Sequence, residues 1–245
     1  MKYLLILILI FSAIKAEDKT QNITIGAGAY VQTQPYTDVD AILTPSPVIF
    51  FDNGIAYVRW TRVGLYFLGE KKENYSWGFS LTAQPRVNGY ESSDIEGMDE
   101  RKDTWEGGLA FSAKKDKAYI EVLALTDMLN GTDSWILKTD IGYDFKLGYF
   151  SIYPSLSLTY QSSNFLDYYY GVKKSEELGS RKAYIANDGF QIATQTYIEY
   201  PITKNLSALI NLKVAKISKE ASDSPIVDED YIYSGLLSFI YTFKY

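Results

Sequence analysis

The sequence predicts an all-β protein: a transmembrane antiparallel β-barrel of twelve strands, with short periplasmic turns and longer external loops. Three observations carry that prediction. The chain opens on a short export signal and afterwards holds no apolar run long enough to cross a bilayer as a helix. Apolar and polar residues alternate with period two over segments well beyond the roughly five or six residues of an ordinary soluble strand. Aromatic residues, 22 tyrosines among them, gather at segment ends, as the interfacial girdles of a membrane barrel require.

Lys2, the apolar run LLILILIF and Ala16 follow the order of a secretory signal peptide. Residues 1–16 are therefore read as the leader and 17–245 as the barrel. The first strand, 23–33, directs Ile23, Ile25, Ala27, Ala29 and Val31 to lipid, and Thr24, Gly26, Gly28, Tyr30 and Gln32 to the lumen. Gly26 and Gly28 are lumen packing, because GAG lacks the rest of a dinucleotide fingerprint. Strands follow at 46–52, 55–60 and 62–69, the last two separated by a tight external turn near Thr61. In 75–87, Tyr75, Trp77, Phe79 and Leu81 oppose Ser76, Gly78, Ser80 and Thr82. Further strands are expected at 103–114, 117–126, 134–145, 148–162, 188–200 and 205–218. The connectors alternate between short turns and polar stretches at 34–45, 88–102, 127–133, 163–187 and 219–230. The final strand, 231–245, carries a lipid-facing row that includes Leu237, Phe239, Tyr241, Phe243 and Tyr245. In hydrocarbon every backbone N–H and C=O needs a partner, so this strand is expected to pair with the first.

Composition narrows the chemistry. The chain carries 30 acidic and 24 basic residues, and losing Lys2 and Lys15 with the leader makes it more acidic still. A generally basic nucleic-acid binder is excluded. There is no Cys and no His, so thiol chemistry and the usual Ser–His hydrolytic pairing are missing. No cofactor is implied. Lumen acids Glu106, Glu121, Asp140 and Glu199 could in principle serve a carboxylate pair. The competing reading is that they neutralise lumen-facing Arg62, Arg86, Lys138 and Lys213, and it is preferred because a confined polar interior needs mixed charge. The acidic loop 91–103 and Asp228-Glu229-Asp230 lack EF-hand spacing and read as solvated loop, so no metal site is assigned. In the stretch NFLDYYYGV, Phe165 and Tyr168 are read as girdle residues.

From this stretch onward the sequence resembles the MltA-interacting protein / OmpV family of outer-membrane proteins. Tyr170, Gly171, Val172, Ser180, Tyr184 and Gly189 stand where that family has an aromatic-rich YFGV, a Ser-bearing spacer, a Tyr and a Gly. Ser224, Pro225 and Ile226 resemble its Ser-Pro-Ile loop before the last strand. IGAGAY at Ile25–Tyr30, the prolines Pro45 and Pro47 at a strand start, and the closing YTF are also alike. Two departures stand out: Lys244 and Tyr245 extend past the family's usual terminal Phe, and MLNGTDS keeps Gly131 without the usual His. Phe239, Tyr241, Phe243 and Tyr245 resemble the C-terminal signal by which outer-membrane barrels are recognised for insertion. The resemblance implies a non-enzymatic scaffold linked to a lytic transglycosylase and a murein synthase. It also implies lipid, lipopolysaccharide and the barrel-assembly machinery as surroundings. A small pore or solute channel, and an adhesin acting through its external loops, are the alternatives; conductance and loop deletion separate them.

Overall fold

The computed structural model describes residues 22–129 and 131–244. Residues 1–16, read from the sequence as a leader, and Tyr245 of the expected insertion signal lie outside the described residues. Among the described residues twelve strands form: β1 (Asn22–Gln32), β2 (Ile42–Asp52), β3 (Ala56–Arg59), β4 (Arg62–Lys71), β5 (Tyr75–Arg86), β6 (Thr104–Lys115), β7 (Ala118–Asp127), β8 (Trp135–Tyr143, resuming after Asp144 as Phe145–Leu147), β9 (Phe150–Gln161), β10 (Gly189–Pro201), β11 (Leu206–Lys216) and β12 (Tyr231–Lys244). Each pairs antiparallel with its chain neighbours. β1 also pairs with β12, from Asn22 opposite Lys244 to Gln32 opposite Ser234, which closes the barrel.

The alternation in the sequence sorts the two faces. Ile25, Leu81, Leu109, Leu237 and Phe239 point outward and are exposed, forming an apolar band that bilayer hydrocarbon would cover. Trp105, Trp135, Tyr231 and Tyr233 stand near its external edge, and Tyr75, Tyr241 and Phe243 near its periplasmic edge. Inward, glycines make room for tyrosines lying across the wall. A Cβ on Gly64 would sit 2.3 Å from the Tyr57 ring, and one on Gly142 2.4 Å from the Tyr119 ring.

Three features differ from the sequence reading. β2 begins at Ile42 instead of 46, so Pro45 and Pro47 lie inside a strand and not at its start. The turn near Thr61 does not reach the external rim. β3 has only 4 residues, and Trp60, at φ +58°, donates its N–H to Ile49 O while β2 runs on upward to Ile42. The hairpin β3–β4 therefore ends partway up the wall. Finally, the longest external loop is not structureless: it contains α1 (Ser163–Tyr170) and a 3-10 turn at Lys174–Glu176, and α2 (Lys219–Ser222) follows β11.

Candidate functional site

The lumen holds three charged clusters. Glu121 on β7 receives Arg59 at 2.6 Å from β3 and Arg62 from β4, on the opposite side of the short hairpin. Arg59 also donates to Tyr66 Oη at 2.7 Å and lies over the Tyr57 ring at 4.3 Å. Higher up, Arg86 and Glu106 are cross-strand neighbours on β5 and β6. Arg86 Nε meets Glu106 Oε2 at 2.8 Å, and both side chains are only 3% exposed. Gln84 donates to the other carboxylate oxygen at 2.7 Å, and Arg86 Nη1 donates to Ser134 Oγ at 2.7 Å. On β8, Lys138 and Asp140 pair at 2.9 Å, and Ser157 Oγ donates to Asp140. Lys213, half-buried on β11, stands opposite Gln195 and Ser234. Glu199, also half-buried, stands opposite Ser151 and Leu209.

Between these clusters, small polar residues such as Ser80, Asn211 and Ser238 share the buried interior with apolar side chains. Val48, Leu209, Leu236 and Ile240 are inward-facing and buried, with Tyr30, Phe50, Trp60 and Tyr197 packed on them. Tyr57 and Leu123, from other parts of the wall, are buried as well. Side chains on the inner face of an open tube would be wetted; these are filled over by one another.

The external mouth is covered by folded loops. Ser162 caps α1 by accepting the Phe165 N–H at 3.3 Å, and Phe165, Leu166, Tyr169 and Tyr170 turn one buried face downward. They pack on Val172 of the same loop, on Tyr36, Tyr90 and Ile226 from other loops, and on Leu123, Leu125 and Ile136 of the wall. Phe165 and Tyr168 are thus part of this cap and not of a girdle: Phe165 is buried with its ring 4.6 Å above the Arg86 guanidinium, and Tyr168 packs partly buried against the cluster. The clue was present in sequence. Apolar residues at 165, 166, 169 and 170 repeat with helical spacing behind a Ser cap, against the strand period of the rest of the chain.

A buried ion pair pins the cap. Arg101 Nη2 donates to both Glu176 oxygens at 2.9 Å, its Nε to Tyr168 O at 2.7 Å, and its Nη1 to Asp99 O at 2.7 Å. The exposed Asp99 carboxyl lies below the usual range because the Lys173 ammonium donates to it. Several loop residues singled out in the sequence meet here. Val172 and Tyr184 exchange backbone bonds at 2.8 and 2.9 Å, and Ser224 Oγ donates to Tyr170 O at 2.6 Å. Ile226 is buried beside them, and Gly171 turns so close that a Cβ would lie 2.3 Å from Asp167 O. Ser180 and Pro225 are exposed, and Gly189 opens β10. At the far end Phe239, Tyr241 and Phe243 project outward.

Burial sets the ionisation of the cap tyrosines. It raises Tyr36 well above 10, with the neighbouring Tyr170 and Tyr90 phenols adding to the shift, and it pushes Tyr90 and Tyr170 up to about 12. A phenol whose folded value is raised stabilises the fold fully below its unfolded value near 10, and loses that contribution as pH climbs toward 12. The Tyr90 and Tyr170 phenols are therefore expected to ionise only around pH 12, seen as late tyrosinate absorbance together with loss of cap structure. Titration of all tyrosines near pH 10 with the cap intact would contradict this packing.

A closed antiparallel barrel with an apolar outer band, aromatic rims and a polar, charge-paired interior is an outer-membrane β-barrel. The chain belongs to the MltA-interacting protein MipA family, whose model matches residues 25–243. It is similar to the MltA-interacting protein of Escherichia coli K12, 25% identical over 228 residues, covering 91% of this chain and 90% of that one. It is also similar to the outer membrane protein OmpV of Vibrio cholerae, 28% identical over 165 residues, covering 66% of this chain and 63% of that one. Among solved structures, an outer membrane channel from Pseudomonas putida F1 aligns over 94% of this chain and 98% of its own, at 12% identity and a TM-score of 0.44. The protein is located in the outer membrane.

Proposed function

We propose that this chain is a non-enzymatic barrel acting as a scaffold or structural protein through its surfaces, in association with murein-remodelling enzymes. The observation that carries the reading is the filled lumen beneath a packed cap. A conduit needs a wetted path, and here Val48, Tyr57, Leu123, Leu209 and Leu236 occupy the interior while α1 covers the mouth. The carboxylates Glu106 and Glu121 are engaged by guanidinium groups, which suits charge balance better than proton transfer. The Escherichia coli relative is named for an interaction with MltA. A partner of the same kind, a lytic transglycosylase, would meet this chain at its periplasmic end. There the turns and strand ends supply Lys71, Lys72, Lys114, Lys115, Lys117 and Lys146.

Two measurements test the proposal. Purified protein in planar bilayers is expected to give no conductance steps; reproducible steps across several salts would replace the scaffold with a pore. Affinity capture from solubilised envelopes, with the native chain as bait, is expected to enrich a murein hydrolase or synthase. An empty capture alongside a silent bilayer would leave a purely structural barrel.

A further inference from the structure

The wall has a gap, and its edge is finished chemically. β2 pairs with β3 only from Phe50 to Asp52, and β3 pairs with β4 only from Ala56 opposite Leu65 to Arg59 opposite Arg62. Above that hairpin, the stretch Leu43–Pro47 of β2 has no strand on that side until β5. Two strands' worth of pairing is missing along this stretch, and the gap narrows at the rim, where Gln32 Nε2 of β1 donates to Val87 O just past β5 at 3.3 Å.

Backbone direction can be read from the bonds just below. Trp60 donates to Ile49 O at 2.8 Å, and Asn53 donates to Ala56 O at 3.2 Å. In an antiparallel pair a residue's N–H and C=O point to the same side. The odd-numbered residues of β2 thus face β3, and Leu43, Pro45 and Pro47 face the gap. Proline has no N–H, so two of those three positions have no donor to leave unpaired. Their carbonyls are covered locally: Thr44 Oγ1 donates to Pro45 O at 3.3 Å, and Ser46 Oγ to Pro47 O at 3.4 Å. The sequence Thr44-Pro45-Ser46-Pro47 is a strand edge with little hydrogen-bonding demand.

Such an edge repels an added strand, which needs donors, and tolerates hydrocarbon. It lies beside outward-facing Leu43 and Val63, both exposed, in the external half of the apolar band. Behind it Thr44, whose side chain faces inward, is nevertheless exposed, so the notch reaches the inner side of the wall at this level, above the buried Ser46 and Val48. The first groups met inside are Ser46 and Trp60, joined by an indole N–H bond of 2.9 Å, with the Tyr30 ring 5.4 Å from Trp60. We propose that this notch is a lateral site for one acyl chain of an outer-leaflet lipid, entering between β2 and β5 and ending against Trp60.

The test uses Trp60 as the reporter in a full-length variant with Trp77, Trp105 and Trp135 replaced by Phe. It is refolded into phosphatidylcholine vesicles carrying bromine near the headgroup, midway, or near the chain end. Most of the Trp60 emission is expected to be lost, most strongly with bromines near the chain end, because the hairpin tip lies partway down the wall. Emission equal in brominated and plain vesicles would overturn the proposal, as would quenching by aqueous iodide instead. If the triple variant folds poorly, the difference in quenching between the native chain and Trp60→Phe gives the same readout. Leu43→Cys tests the rival occupant: a disulfide-linked dimer forming readily in vesicles would assign the edge to a second copy and sink the lipid site.

Discussion

Replacing Glu106 by Ala is expected to destabilise the barrel by about 3–5 kcal/mol, the cost of leaving one member of a buried ion pair alone. Arg86 is nearly sealed from solvent, and its charge is met by the Glu106 carboxylate at 2.8 Å. Gln84 would also lose its acceptor at 2.7 Å, and a buried amide without a partner carries its own cost. The effect should reach the cap, because the Arg86 guanidinium lies beneath Phe165 of α1 and donates to Ser134 where β8 begins. Urea unfolding in lipid vesicles, followed by tryptophan emission, measures the loss. A pairwise change makes the reading specific: Arg86→Met with Glu106→Leu removes both charges, and should recover most of the stability if the penalty comes from the unpaired guanidinium. A loss below about 1 kcal/mol for Glu106→Ala, the range of an exposed pair, would mean that the lumen at this level is wet.

That experiment bears on what was legible in the sequence. The barrel itself was, because a period of two in long strands reports directly which side of a pleated wall each residue faces. The pairing of the last strand with the first followed from the need to satisfy backbone groups in hydrocarbon. The cap was harder to see. Its residues come from loops far apart in the chain, such as Tyr36, Tyr90, Tyr170 and Ile226, and period-two reasoning is silent on how loops meet. The inward charges were assigned to a face, but not to partners. Glu121 is held by Arg59 and Arg62 across 62 and 59 residues of chain, and only the register of the strands between them brings them together. Arg59 was missed altogether, since the strand that carries it is too short to show alternation. The sequence places Pro45 and Pro47 at a strand start because proline usually breaks a ladder. They sit inside β2 where there is no ladder to break on their side.

The second large effect is expected at the seam. Gly28→Val should block barrel closure and remove most of the compact, heat-modifiable species seen on electrophoresis of folded barrels. β1 and β12 approach so closely that a Cβ on Gly28 would lie 2.1 Å from Leu237 O and 2.5 Å from Ser238 Cβ. The nearer of these is a backbone atom, already placed by the ladder that pairs Gly28 with Ser238, so it does not yield by changing a rotamer. Relief requires the strands to separate, and separation exposes two rows of unpaired N–H and C=O groups to hydrocarbon, each costing several kcal/mol. Ala27→Val is the control: its side chain faces lipid one residue away, and a β-branched residue there is compatible with a strand. A second change separates side-chain crowding from backbone crowding. Ser238→Gly removes the Ser238 Cβ but leaves Leu237 O, and so should fail to rescue Gly28→Val. Equal folding yields for Gly28→Val and Ala27→Val, or full rescue by Ser238→Gly, would show that the seam has more room than the close approach of β1 and β12 allows.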